Sequence, residues 1–220
     1  MIITQSKSLE QILEYLKDYK KVLLVGCGEC ATTCKTGGKE ELEKFQKELE
    51  KNGKSVTAQI IPKAPCIASQ IKLEFAKNMK ALRESEAIVV LSCGLGVQSV
   101  KDNDRLGLLV FPGCDTLCGA VMDSKGDFME KCSMCGECVL GLTAGVCPVT
   151  LCPKGILNGP CGGMNKGKCE VDKERDCAWV IIYKEMEKQK RLDAFKNIQA
   201  PKDYKKTVKP RKLIMEKQNG

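Results

Sequence analysis

Fifteen cysteines and not one histidine in 220 residues narrow what this chain can fold around. Eight of the cysteines crowd between Cys132 and Cys177. That stretch opens with Cys132-x2-Cys135-x2-Cys138 and reaches Cys147-Pro148 after eight intervening residues. Thiolate sulfur is a soft donor, and tetrahedral all-sulfur sets hold zinc or iron–sulfur cores. Three cysteines at two-residue gaps, with a remote cysteine before a proline, form the ferredoxin-type arrangement around a [4Fe–4S] cube. The missing histidine removes mixed cysteine–histidine zinc fingers, Rieske centres and imidazole-ligated haem. It also removes serine–histidine and cysteine–histidine catalytic pairs.

The array continues through Cys152, Cys161, Cys169 and Cys177, so eight cysteines make two four-thiolate sites. Two [4Fe–4S] clusters are the first reading; one cluster plus a four-cysteine zinc site is the alternative. Cys147 and Cys152 each precede a proline. In two-cluster ferredoxins the fourth cysteine of one motif serves the other cluster, so spacing alone does not say which four share a centre.

Composition supports a metal-binding use of these thiols. No apolar run reaches the eighteen residues of a membrane span, and the first twenty residues lack the pattern of a signal peptide. A cytoplasmic location is expected, where thiols serve metal or redox chemistry rather than structural disulfides. The odd cysteine count points the same way. The formal charge of +8 raises the question of nucleic acid. A [4Fe–4S]2+ core with four thiolates carries a net charge of −2, so three such clusters bring the chain to about +2. Aromatic residues make up only 5%, which leaves few stacking platforms for single strands, and nucleic acid is disfavoured as a partner.

Residues 1–125 read as an α/β domain. Residues 1–20 resemble an amphipathic helix, with Leu9, Ile12, Leu13 and Leu16 on one face. Strands are expected at Val22–Val25, Ser55–Ile61, Ala87–Leu91 and Leu108–Phe111, with helices at 39–51 and 67–82 between them. Such alternation predicts a doubly wound parallel sheet. A cysteine follows each strand: Cys27, Cys66, Cys93 and Cys114. In an open parallel sheet the carboxyl ends of the strands share one edge, where ligands bind. Cys27, Cys30, Cys66 and Cys93 are therefore expected to form a third metal site. Cys34 falls on the following helix, and Cys114 and Cys118 form a CxxxC pair with no assigned role. Gly26-x-Gly28-x-x-Ala31 also matches a dinucleotide fingerprint, but the second strand ends in Ile60-Ile61-Pro62-Lys63, without the acidic residue that would bind a ribose.

Residues 126–182 are rich in Gly, Cys and Pro and lose apolar periodicity, so a small, irregular, metal-stabilised domain is expected there. Residues 183–220 are expected to supply the rest of a charged helix running from Trp179 to Phe195, then a basic tail, extended over 200–213. Trp179 is expected to cover a cluster loop. Glu29, Glu137 and Glu170 neighbour cysteines and are expected to set local potential or face solvent. The basic tail is either solvated or an arm for an acidic partner.

Asn158-Gly159-Pro160-Cys161-Gly162-Gly163, Gly167-Lys168-Cys169-Glu170-Val171 and Asp176-Cys177-Ala178-Trp179 resemble the cysteine-rich C-terminal domain family of methylenetetrahydrofolate reductase. Its members include the iron–sulfur small subunit of the two-subunit reductase of acetogenic bacteria. Gly26-Cys27, Pro65-Cys66 and Cys93-Gly94-x-Gly96-Val97-Gln98 resemble the family's N-terminal half; Cys114 and Cys118 are not among its familiar positions. The resemblance implies a non-catalytic electron-transfer subunit with two or three [4Fe–4S] clusters. Electrons would come from a donor protein and pass to a partner subunit, whose flavin reduces methylenetetrahydrofolate in the methyl branch of one-carbon (Wood–Ljungdahl) metabolism. The chain is too short to hold the eight-fold β/α barrel of that partner as well. Two rival readings stand beside it: a zinc-binding interaction module without redox role, and an independent thiol or cluster enzyme using the N-terminal crevice.

Overall fold

Val22, Leu23, Leu24 and Val25 are all fully buried. A strand achieves this only when both faces of its sheet are covered, as happens in parallel sheets flanked by helices. The computed structural model describes residues 1–213 and divides into two units, Met1–Ala120 and Val121–Gly220.

The first unit runs β1 (Ile2–Ser6), α1 (Leu9–Tyr15), β2 (Lys21–Val25), α2 (Cys30–Thr33), α3 (Lys39–Lys51), β3 (Ser55–Ile60), α4 (Ala68–Lys77), α5 (Met79–Glu84), β4 (Ala87–Val90), α6 (Gly94–Asn103), β5 (Leu109–Pro112) and β6 (Cys114–Met122), which continues past its boundary. Four strands form a parallel sheet in the order β3-β2-β4-β5. The fold is thus mixed α/β around a parallel sheet. Side chains alternate across it. Val22, Leu24, Ala87 and Val89 join Ile12, Leu16, Leu42 and Leu49 on one face. Leu23, Val25, Ile88 and Val90 join Ile71, Phe75, Leu82 and Val100 on the other.

Two expected helices are corrected. The chain opens as a strand: β1 pairs antiparallel with β6, and the N-terminal ammonium donates to the Ala120 carbonyl at 2.9 Å. Helix begins only after Ser8, whose hydroxyl accepts from Gln11 N–H (3.3 Å) while the Gln11 side chain accepts from Ser8 N–H (3.1 Å). This reciprocal cap fixes the boundary. The 67–82 helix breaks in two at Asn78, whose amide donates to the Glu74 carbonyl at 3.0 Å.

The second unit holds β7 (Phe128–Cys132), α7 (Pro148–Leu151) and α8 (Ala178–Lys188), joined by turns. It has a small core of its own, in which Trp179, Ile182 and Met186 of α8 pack with Cys177, Val146 and Met164. Helix α8 stops at Lys188, earlier than expected, and a 3-10 turn at Leu192–Lys196 follows. The tail, expected to be extended over 200–213, contains another such turn at Tyr204–Thr207, capped by Asp203; the end of the basic tail, 214–220, lies outside the described residues.

Leu24→Ala removes a side chain held between β2 and its helices and should cost about 2–5 kcal/mol. The exposed Lys47→Ala should stay within about 0.5 kcal/mol of the parent. Urea unfolding midpoints of the two variants check both values.

Candidate metal centres

The strand order of the parallel sheet reverses direction between β2 and β4. That reversal is the switch point at which open α/β sheets bind ligands, beyond the carboxyl ends of the strands. Cys27 lies just past β2, and Cys93 just past β4 as the N-cap residue of α6. Both are buried. Cys30 opens α2, and Cys66 sits in the loop between β3 and α4. Cys66 is exposed as a residue, yet partial burial is the first cause that pushes its thiol pKa up, and Cys93, Cys27 and Cys30 push the same way. Three of the expected thiols therefore lie near enough to act on the fourth. A backbone donor is already aimed there: Ile2 N–H points at Cys30 Sγ, 3.5 Å away.

Gly96 explains how Cys66 comes beside Cys93. A Cβ on Gly96 would stand 3.1 Å from Pro65 Cγ and closer still to the Ser92 hydroxyl. Only a bare backbone lets the Pro65-Cys66 loop seat on the first turn of α6.

Cys34 closes α2, with its thiol 3.8 Å from the Ile2 carbonyl. Cys114 is 4% exposed and donates to the Thr36 carbonyl at 3.6 Å. Burial is the main cause that drives its pKa up to about 12. It is held as a neutral thiol and acts as a packing residue. The dinucleotide reading fails here, because the helix after Gly26-x-Gly28 is a four-residue turn.

In the second unit one small cavity gathers Cys152, Cys161, Cys169 and Cys177, with Trp179 in its wall. Cys152 ends α7 and Cys177 is the N-cap residue of α8. Trp179 is held by its indole N–H, which donates to the Ile156 carbonyl at 2.9 Å. Cys161 Sγ lies 3.2 Å from the Glu170 carboxylate, itself paired with Lys154 at 2.8 Å. Glu170 is held below the usual carboxylate range, first by Lys154 and then by Cys161.

The remaining four are Cys132, Cys135, Cys138 and Cys147. Cys132 ends β7, against which α7 packs, and Cys147 is the N-cap residue of α7. Left-handed backbone at Met134 (φ 54°) and Gly136 (φ 80°) turns the chain between the first three. Burial pushes the Cys135 thiol up, but a backbone hydrogen bond at Glu137 and the Lys202 ammonium outweigh it, and its pKa falls below the usual thiol value. The basic tail was read from the sequence as a whole, but Lys202 was not singled out; no pattern in APKDYKKTVKPRKL marks one lysine above the others.

Among the described residues no three Cys, Asp or Glu side chains stand close enough to hold a single metal ion. A tetrahedral zinc site, with Zn–S of about 2.3 Å, needs sulfurs roughly 3.8 Å apart. The thiols are gathered by neighbourhood, not at single-ion distance. The donor sets still fit a larger thiolate-ligated core in chemistry and number, with four sulfurs at the sheet edge and four around one cavity.

Gly96→Val should displace the Pro65-Cys66 loop while leaving the sheet intact. The expected readout is faster alkylation of Cys66 in the metal-free protein, with unchanged far-UV circular dichroism. Cys114 should be the last thiol to react. Its folded pKa of about 12 lies above an unfolded value near 8.5, so the unfolded chain loses this proton first. The contribution of Cys114 to stability is complete below about pH 8.5 and declines as pH rises toward 12. Mass mapping after iodoacetamide treatment at pH 8 checks the order of reaction.

No curated protein matches the chain. Residues 111–205 match the family described as methylene-tetrahydrofolate reductase C terminal. The match takes in all eight cysteines from Cys132 to Cys177, and Cys114 and Cys118 as well; Cys27, Cys30, Cys66 and Cys93 lie before it. Over that segment, a little under half of its length, the chain is similar to the methylene-tetrahydrofolate reductase C-terminal family.

Proposed function

We propose that this chain is an iron–sulfur electron-transfer subunit that works with a flavin-bearing methylenetetrahydrofolate reductase subunit. The observation that carries the reading is the grouping of thiols at separate places: Cys27, Cys30, Cys66 and Cys93 at the switch point of the sheet, and Cys152, Cys161, Cys169 and Cys177 around one cavity. Cys132, Cys135, Cys138 and Cys147 then make the third set. The family match over 111–205 supports a partner of the reductase type.

The chain's own residues have three tasks. The cysteines ligate as thiolates, and Cys93 and Cys177 are held in place as the N-cap residues of α6 and α8. Trp179 and the core of α8 keep water from the cavity of Cys152, Cys161, Cys169 and Cys177. Nearby N–H groups and cations set how readily negative charge is accepted at each centre. Once bound, the clusters would supply one-electron transfer, and the partner's flavin would pool two electrons for a hydride-level reduction of the folate. The centres would also stabilise the turn-rich second unit, because a preformed thiolate site binds metal only in the folded chain. No helix among the described residues is long and apolar enough to cross a membrane, and a cytoplasmic site of action fits unprotected thiols.

Anaerobically purified protein should be brown, absorb broadly across the visible, and contain iron and acid-labile sulfide in equal amounts. Cys66→Ser and Cys152→Ser should each lower iron by about four atoms per chain, independently of one another. A colourless protein with stoichiometric zinc and no sulfide overturns the reading in favour of a redox-silent module.

A further inference from the structure

Lys202 is a buried cation, only 7% exposed. Lysine is almost never buried this far unless it is paired. Its ammonium donates to the Glu137 backbone carbonyl, and the Cys135 thiol stands 3.6 Å from that same oxygen. No carboxylate forms an ion pair with it among the described residues. The Glu137 carboxylate is engaged elsewhere, by Asp203 N–H at 2.8 Å and Lys206 Nζ at 3.2 Å. A neutral thiol and one carbonyl do not repay removal of an ammonium from water.

The segment that carries Lys202 is fastened across the Cys132–Cys138 loop at several points. Besides the two bonds to the Glu137 side chain, the backbone of Lys206 passes so close to Gly136 that a Cβ there would stand 2.9 Å from its carbonyl. Arg211 closes the far end by donating to that same carbonyl at 2.9 Å. The tail therefore crosses the loop at the one residue without a side chain. This segment was expected to be solvated or to reach for an acidic partner. Its lysine instead points inward.

We propose that residues 202–211 form a strap that seats the Lys202 ammonium against the Cys132/Cys135/Cys138 centre, as the fixed counter-charge of an anionic, thiolate-ligated metal core. The proposal rests on the reading of this loop as a metal centre, and it adds a positioning residue that no cysteine spacing reveals. A fixed positive charge favours the more negative, reduced state of such a core, so Lys202 raises its potential. The strap also covers the loop, keeping water from the side that carries Gly136.

The test compares Lys202→Met, Lys202→Arg and the parent, each as the full chain purified anaerobically, by iron and sulfide content and by redox titration followed by electron paramagnetic resonance. In Lys202→Met one centre should become harder to reduce by about tenfold in its one-electron equilibrium, about 59 mV, while the others keep their potentials. Lys202→Arg should stay near the parent. If Lys202→Met instead loses about four irons and Lys202→Arg keeps them, the charge requirement is equally supported. Glu137→Ala, which removes the two side-chain anchors of the strap, should speed tryptic cleavage within 202–211. Potentials and iron in Lys202→Met equal to the parent's overturn the proposal. So does a Lys202→Arg protein as impaired as Lys202→Met, since that would show packing rather than charge. A parent chain without iron overturns the underlying reading as well, and is told apart from these outcomes because it appears before any substitution.

Discussion

Parallel pairing of β2 with both β3 and β4 decides where the thiols of the first unit meet. Cys27, Cys66 and Cys93 are separated by dozens of residues in the chain, and closing such loops costs entropy that no thiol repays by itself. The sheet bears that cost through its own core. Leu23 and Leu24, fully buried on opposite faces, hold β2 between two helical layers, and the three strand ends are then delivered to one edge whatever follows them. The cysteines are passengers on this geometry. This is why each sits just beyond a strand and none in its middle.

Among its described residues the second unit has no sheet of that size to gather its sulfurs. It uses short devices instead: left-handed turns at Met134 and Gly136, a single-turn helix that places Cys147 at one end and Cys152 at the other, and α8, whose N-cap is Cys177 and whose next turn supplies Trp179 and Ile182 to a small core. Helix α7 separates two thiols that are five residues apart in the chain. It sends Cys152 to the cavity of Cys161, Cys169 and Cys177 and leaves Cys147 on the side of β7.

Much of the fold was legible because apolar runs of four or five residues, bounded by glycine and charge, read the same way in sequence and in space. β2, β3, β4, β5 and α3 lie where the pattern puts them, to within a residue or so. The misreadings share a cause. At residues 1–20 a helical pattern that begins at Leu9 was extended back over Ile2–Ser6, whose strand identity comes from pairing with β6 more than a hundred residues later. At Asn78 a side chain competes for a backbone carbonyl within its own helix, which periodicity does not register. The sites divide in the same manner. The cysteines announce themselves by spacing and by strand ends, whereas Gly96 and Lys202 matter through contacts with Pro65 and Glu137 that no local pattern encodes.

Charge ties these observations together. The chain carries an excess of eight positive charges, and several of its lysines lie on exposed helix faces in weak ion pairs such as Lys51–Glu48 and Lys188–Glu185. Such pairs stabilise little and tell nothing of function. Two lysines differ. Lys154 stands against Glu170 at the mouth of the four-thiol cavity, where Glu170 and Cys161 hold it above the usual lysine range, and Lys202 is drawn out of water beside Cys135. A cation next to a neutral thiol loses hydration and gains almost nothing; next to a thiolate bound in an anionic core it gains an unscreened partner. Both lysines are placed where sulfur would be negative.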